Sequence, residues 1–136
     1  MWYGFRVYTV QLIISNMKHY EYAVIIDDDT DLCLLLKAIL KDLIPHIKFA
    51  HSIESGQKLL TQLKPDVIFL DNNLPDGQGV NRIQEIKSKS PGSLLVIITA
   101  STFSREQSII NGADLFLEKP FTYSNIYTAL NTLNVH

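Results

Sequence analysis

One cysteine, Cys33, is all the thiol chemistry available, so an internal disulfide framework and a cysteine-rich zinc site are excluded. The lone thiol fits a reducing compartment, and a cytoplasmic location is the expectation. Neither sign of charge dominates: 12 Lys and Arg face 14 Asp and Glu, for a formal net charge of -2. That balance gives no general pull toward nucleic acid or anionic lipid, and no local basic patch replaces it. No apolar run approaches the roughly 20 residues that cross a bilayer, so no membrane contact is expected. Internal repeats and linker-like stretches are also missing. What remains is 136 residues, 46% hydrophobic and 19% charged, the proportions of one globular domain.

The first residues differ from the rest. Met1 to Asn16 is aromatic and β-branched, carries Arg6 and Gln11 inside it, and lacks the basic start and small-residue cleavage site of a secretory signal. Met17 is followed by Lys18, His19 and Tyr20 and then by a clean strand. Residues 1–19 are therefore read as an N-terminal extension and 20–136 as the domain. An extra strand or helix packed on the domain is the competing reading.

From Tyr20 onward, short apolar runs alternate with stretches of helical periodicity. Strands are expected at Tyr22–Ile26, Ile47–Ala50, Val67–Leu70, Leu94–Ile98 and Leu115–Leu117; the first, third and fourth are almost wholly apolar, as strands covered on both faces should be. Leu32, Leu35, Leu36, Ile39, Leu40 and Leu43 recur at intervals of three and four and predict one buried stripe on a first helix, closed by Pro45. A second helix follows Ser52 as cap, places Ile53, Leu59, Leu60 and Leu63 inward, and stops before Pro65. A third runs from about Gly79 to Lys89 with Val80, Ile83 and Ile86 inward. The fourth opens with Ser104 and Gln107 at capping-box spacing and ends near Gly112. The fifth carries Tyr123, Ile126, Tyr127, Leu130 and Leu133 on one face. Strict alternation of five strands and five helices predicts an α/β fold: a doubly wound parallel sheet with strand order 2-1-3-4-5.

In such a sheet the carboxyl ends of the strands share one edge, where open α/β folds bind ligands. Strand one runs into Asp27, Asp28 and Asp29, strand three into Asp71, strand four into Thr99, and strand five into Glu118 and Lys119. With this strand order their polar tips converge on one cleft. Two carboxylates about 4 Å apart repel by roughly 4 kcal/mol at an effective dielectric near 20. One lysine offsets only part of that, so the cluster should recruit a hard divalent cation or raise the pKa of one acid. Oxygen ligands alone favour Mg²⁺, with Mn²⁺ as a stand-in, and a metal held by few carboxylates keeps positions open for phosphate oxygens.

Four runs carry a resemblance: Val24-Ile25-Ile26-Asp27-Asp28-Asp29, Val67 through Asp71 to Leu74-Pro75-Asp76-Gly77, Ile97-Ile98-Thr99-Ala100, and Gly112 through Glu118-Lys119-Pro120-Phe121. In this order and spacing the sequence resembles the receiver domain of two-component response regulators, over about Tyr20 to Leu133. The resemblance implies a flavodoxin-like fold that takes a phosphoryl group from a sensor histidine kinase or histidine phosphotransfer protein. It implies Asp71 as phosphoacceptor, Asp28 as direct metal ligand, Asp27 holding the metal mainly through water, and the backbone carbonyl of Asn73 as a further ligand. Thr99 and Lys119 are expected on the phosphoryl oxygens, and the Lys119–Pro120 peptide is expected to be cis. Thr99 and Phe116 occupy the family's switch positions, where the hydroxyl moves toward phosphate and the ring turns into the vacated space. A downstream protein target, or an output domain outside this sequence, is implied as recipient. The protein is then a signalling phosphoacceptor that assists its own chemistry, not an enzyme.

Each residue also has a plainer reading: a strand terminator, a helix cap, a β-branched strand residue, a solvated charge. Taken together those readings need several coincidences on one edge of one sheet, and the functional reading is preferred. Two alternatives stay in view. A dehalogenase-type Mg²⁺-dependent phosphatase also uses an Asp nucleophile, a Thr and a Lys, but Asp31 stands where that family prefers Thr or Val, and no acidic pair follows Lys119. A pseudo-receiver that only binds partners would have no reason to keep mutually repelling charges together.

Overall fold

A computed structural model describes residues 20–100 and 105–134. The expected extension at 1–19 and the cap expected at Ser104 lie outside the described residues. Chain order is β1 (Tyr22–Ile26), α1 (Thr30–Leu40), β2 (His46–Ala50), α2 (Ile53–Leu60), β3 (Val67–Asp71), β4 (Asn73–Leu74), β5 (Gly77–Gln78), a 3-10 turn (Gly79–Arg82), α3 (Ile83–Lys89), β6 (Leu94–Thr99), α4 (Arg105–Ile110), β7 (Leu115–Glu118) and α5 (Tyr123–Asn134).

Five strands form one sheet in the order β2-β1-β3-β6-β7, all parallel; β4 and β5 make a separate antiparallel hairpin. Without the hairpin this is the expected 2-1-3-4-5 order. Alternation of side chains along each strand divides the core into two layers. Ala23, Ile25, Val67, Phe69, Val96 and Ile98 face Cys33, Leu36 and Leu40 of α1 and Ile126 and Leu130 of α5. Val24, Ile26, Ile68, Leu70, Leu95 and Ile97 face Ile53 and Leu60 of α2 and Ile83 and Ile86 of α3. Both faces are covered, so the central strands have no polar position to spare until they reach their ends.

Several expectations need correction. The buried line on α1 runs through Cys33, Leu36 and Leu40, spaced three and four apart, and this turns Leu35 outward, where it is 50% exposed. Tyr123 is likewise 48% exposed; Ile126, Ala129 and Leu130 make the inner face of α5, and Tyr123 stacks on Tyr127 with ring centroids 5.8 Å apart. The helix expected from Gly79 begins as a 3-10 turn and becomes α-helical at Ile83. The hairpin at Asn73–Leu74 and Gly77–Gln78 was not anticipated, since strands of two residues carry no periodicity.

Local signals hold elsewhere. Ser52 caps α2 by accepting from the Ser55 amide, and Asp29 caps α1 by accepting from the Leu32 amide. Gly112 takes a φ of +106°, the left-handed conformation that lets the chain leave α4. Among the described residues no helix is long and apolar enough to cross a membrane.

Candidate functional site

Asp27 and Asp28 follow directly on β1, and Asp71 closes β3 next to it. Each strand is apolar until its last position, so the first polar side chains stand together where the sheet meets solvent. Asp27 is fully buried, Asp71 is 4% exposed and Asp28 is exposed. Carboxylate oxygens of the three lie within 4.8 Å of one another.

Lys119 enters from β7, two strands away from β3. Its Nζ donates to Asp27 Oδ2 at 3.0 Å and to Asp71 Oδ1 at 3.2 Å, bridging the two buried acids. Its backbone amide donates to the Thr99 carbonyl at 2.8 Å, and the Lys119–Pro120 peptide is cis. Thr99 ends β6, is fully buried, and lies opposite Glu118 in the ladder.

The electrostatics follow from this crowding. The Asp71 carboxyl is raised above its ordinary value by burial first and by the Asp27 charge second; Lys119 and the amide of Asn73 only partly offset that. Burial works against the Lys119 ammonium, but hydrogen bonds and charge from Asp27 and Asp71 outweigh it, leaving its pKa above the ordinary 10.5. A group of oxygen donors with an acid under this strain suits a hard divalent cation, and Asp27, Asp28 and Asp71 are the residues that could hold one.

Asp27, Asp28, Asp71 and Lys119 thus meet directly, with Thr99 tied to them through the Lys119 backbone. Asn73 opens β4 and its amide serves the Asp71 carboxylate. Phe116 is not among the acids: it is partly buried against the core layer of α2 and α3, opposite Ile97 in the ladder.

Other residues around the site were not foreseen. His51 has Nδ1 2.9 Å from the Asp27 carbonyl oxygen. Gly79 presses on the site, because a Cβ there would lie 2.3 Å from the Asp71 carbonyl oxygen. Asp76, in the loop between β4 and β5, accepts from the Ile53 and Glu54 amides at 2.9 Å each and fastens that loop to the start of α2. The Pro75-Asp76-Gly77 turn signal marked this bend; the distant amides it serves leave no mark in the local sequence.

A parallel five-stranded sheet with acids at the ends of β1 and β3 and a lysine after β7 defines a receiver-type α/β domain. The family model for the response regulator receiver domain matches residues 23–131, and the chain belongs to that family. It is 32% identical over 102 residues to the response regulator protein PilR of Pseudomonas aeruginosa, an alignment covering 74% of this chain and 23% of PilR. It is 28% identical over 120 residues to the chemotaxis protein CheY of Thermotoga maritima, covering 82% of this chain and 96% of CheY. The chain therefore spans about a quarter of PilR and nearly all of CheY. Among solved structures, a Burkholderia pseudomallei response regulator with a phosphorylated aspartic acid, calcium ion and citrate is similar, with TM-score 0.74 and 25% identity, covering 85% of this chain and 69% of that one. Receiver domains are signalling phosphoacceptors of two-component systems rather than enzymes, and membership of this family leaves the phosphatase alternative without support.

Proposed function

We propose that this chain accepts a phosphoryl group onto Asp71 from a sensor histidine kinase or a histidine phosphotransfer protein in the cytoplasm. The observation that carries the proposal is the meeting of Asp27, Asp28 and Asp71 within 4.8 Å, with Lys119 bridging the two buried members. An Asp71 carboxylate oxygen attacks phosphorus in line with the leaving histidine nitrogen. The O–P bond forms as the N–P bond breaks, and the electron pair leaves with the imidazole, which takes up a proton.

Asp28, Asp71 and the Asn73 carbonyl, with Asp27 acting through water, would hold Mg²⁺ or its substitute Mn²⁺, which would supply positive charge to the phosphoryl oxygens. Lys119 donates to a further oxygen, and Thr99 offers its hydroxyl. That contact exists only with phosphate present, which gives Thr99 a differential interaction with the two states. Phe116 then rotates into the space Thr99 leaves. As a phenylalanine it gives partners an apolar ring edge and no hydroxyl. Residues 20–136 act as the receiver unit, with 1–19 as an extension. The signal passes to a downstream protein target or to an output domain joined to the receiver.

Incubating wild type and Asp71→Asn with Mg²⁺ and acetyl phosphate, then measuring acid-labile phosphate, tests this. Label on the wild type alone is expected. Equal labelling would reject Asp71 as acceptor, and no label on either would leave a receiver-fold interaction module.

A further inference from the structure

Asn72 is a buried amide directly after Asp71, where the chain leaves an otherwise apolar strand. Its carbonyl accepts from the Gly79 amide at 2.9 Å, and its side-chain Oδ1 accepts from the Val80 amide at 2.9 Å. Those amides open the 3-10 turn, for which Gln78 provides no side-chain cap. Asn72 therefore supplies the cap from β3. The carbonyl of Val80 is held from the other side, accepting from Asn111 Nδ2 at 2.7 Å. Asn111 directly follows α4 and is itself fixed: Gln107 Nε2 donates to its Oδ1 at 2.8 Å, and its amide donates to the Gln107 carbonyl at 2.9 Å.

We propose that Asn72 and Asn111 are positioning residues that clamp the Val80 backbone between the phosphoacceptor strand and α4, so that a phosphoryl group on Asp71 is felt at α4 through this clamp. The inference rests on Asp71 being the acceptor. The clamp has little slack, because Gly79 already abuts the Asp71 carbonyl and closely packed groups cannot shift singly. An apolar side chain at position 72 removes the acceptor from a buried amide. Asn111→Asp keeps shape and the acceptor for Gln107, but has no N–H to give Val80.

Amide hydrogen exchange read by NMR on the unphosphorylated full chain tests the clamp without any phosphodonor. Asn72→Leu is expected to speed exchange at Val80 by about 2- to 10-fold, the loss of one neutral hydrogen bond, while Ile25 and Phe69 stay protected. Acetyl phosphate and Mg²⁺ then test the coupling. In Asn111→Asp, phosphorylation-induced amide shifts across Gln107 to Ile110 are expected to fall to about half of wild type or less, with labelling of Asp71 unchanged. Unchanged Val80 exchange in Asn72→Leu, or wild-type α4 shifts in Asn111→Asp, overturns the inference. Wild-type protein that takes no label at Asp71 defeats the phosphoacceptor reading and the coupling together; normal labelling with an indifferent α4 defeats the coupling alone.

Discussion

The Lys119 ammonium lies 3.2 Å from Asp71 Oδ1, joining residues 48 positions apart in the chain. The same ammonium reaches Asp27 Oδ2 at 3.0 Å, so one cation holds two buried carboxylates that repel each other. The proposed phosphoryl transfer onto Asp71 would bring new negative charge to this point. Lys119→Gln keeps much of the side chain but removes its charge, and a loss of about 100-fold in the initial rate of phosphorylation is expected, as for removal of one charge-stabilising donor from a reaction centre. Labelling time courses with a small phosphodonor measure it; an unchanged rate would show that Lys119 only packs.

Asp71 also governs stability. Its carboxyl is held above the ordinary 3.8, so between that value and the folded pKa the folded state binds more protons than the unfolded chain. Stability contributed by the protonated form is then lost as pH rises through that window. Near neutral pH the ionised group is a net burden. Metal-free Asp71→Asn should therefore melt at a higher temperature than metal-free wild type, with the gap closing on acidification. Mg²⁺ should stabilise the wild type by about 1.4 kcal/mol when present at ten times its Kd, and the variant, one carboxylate short, by less. Thermal unfolding followed by circular dichroism, with and without chelator, reads both effects.

Asp76 works in the opposite sense. The amides of Glu54 and Ile53 hold its carboxyl below the ordinary 3.8, so its contribution is present above that value and is lost as pH falls through the folded pKa. Asp76→Ala should cost about 1 kcal/mol by urea unfolding at neutral pH, the usual cost of a lost helix cap, and Asp76→Asn less. A neutral Asp76→Ala would mean the hairpin loop is held by other contacts.

Gly79 and Gly92 make a matched pair. A methyl group at Gly79 would sit 2.3 Å from the Asp71 carbonyl oxygen, whereas one at Gly92 meets nothing within 4 Å. Gly79→Ala is expected to destabilise by about 3 kcal/mol and to slow labelling of Asp71, because backbone must move to admit the methyl. Gly92→Ala is expected to be neutral or slightly stabilising, by less than about 1 kcal/mol. Paired chemical denaturation of the two variants decides it.

The sheet and the acids were legible in the sequence because both depend on local patterns. Val24 through Ile26 and Ile68 through Leu70 announce buried strands, and the first polar residue after each is a site residue. Chain order and the right-handed crossover rule then bring Asp27 and Asp71 together. Asn72, Gly79 and His51 were not legible, since each acts on backbone atoms of residues remote in sequence. Leu35 and Tyr123 were misplaced for a related reason. Spacings of three and four allow more than one stripe on a leucine-rich helix, and only packing against the sheet selects it.

The Asp66 carboxylate binds the amides of Glu21 and Tyr22 at 2.7 and 3.0 Å, pinning the chain where it enters β1. The residue that enters β1 therefore stands one full strand away from Asp27 and Asp28, which follow its last position. A fluorophore on a Glu21→Cys variant, at the exposed residue just before β1, stands roughly 16 Å, one strand length, from the acids at the far end of that strand. Such a label leaves the acidic edge clear, which makes it a sound reagent for following reaction with a small phosphodonor in real time.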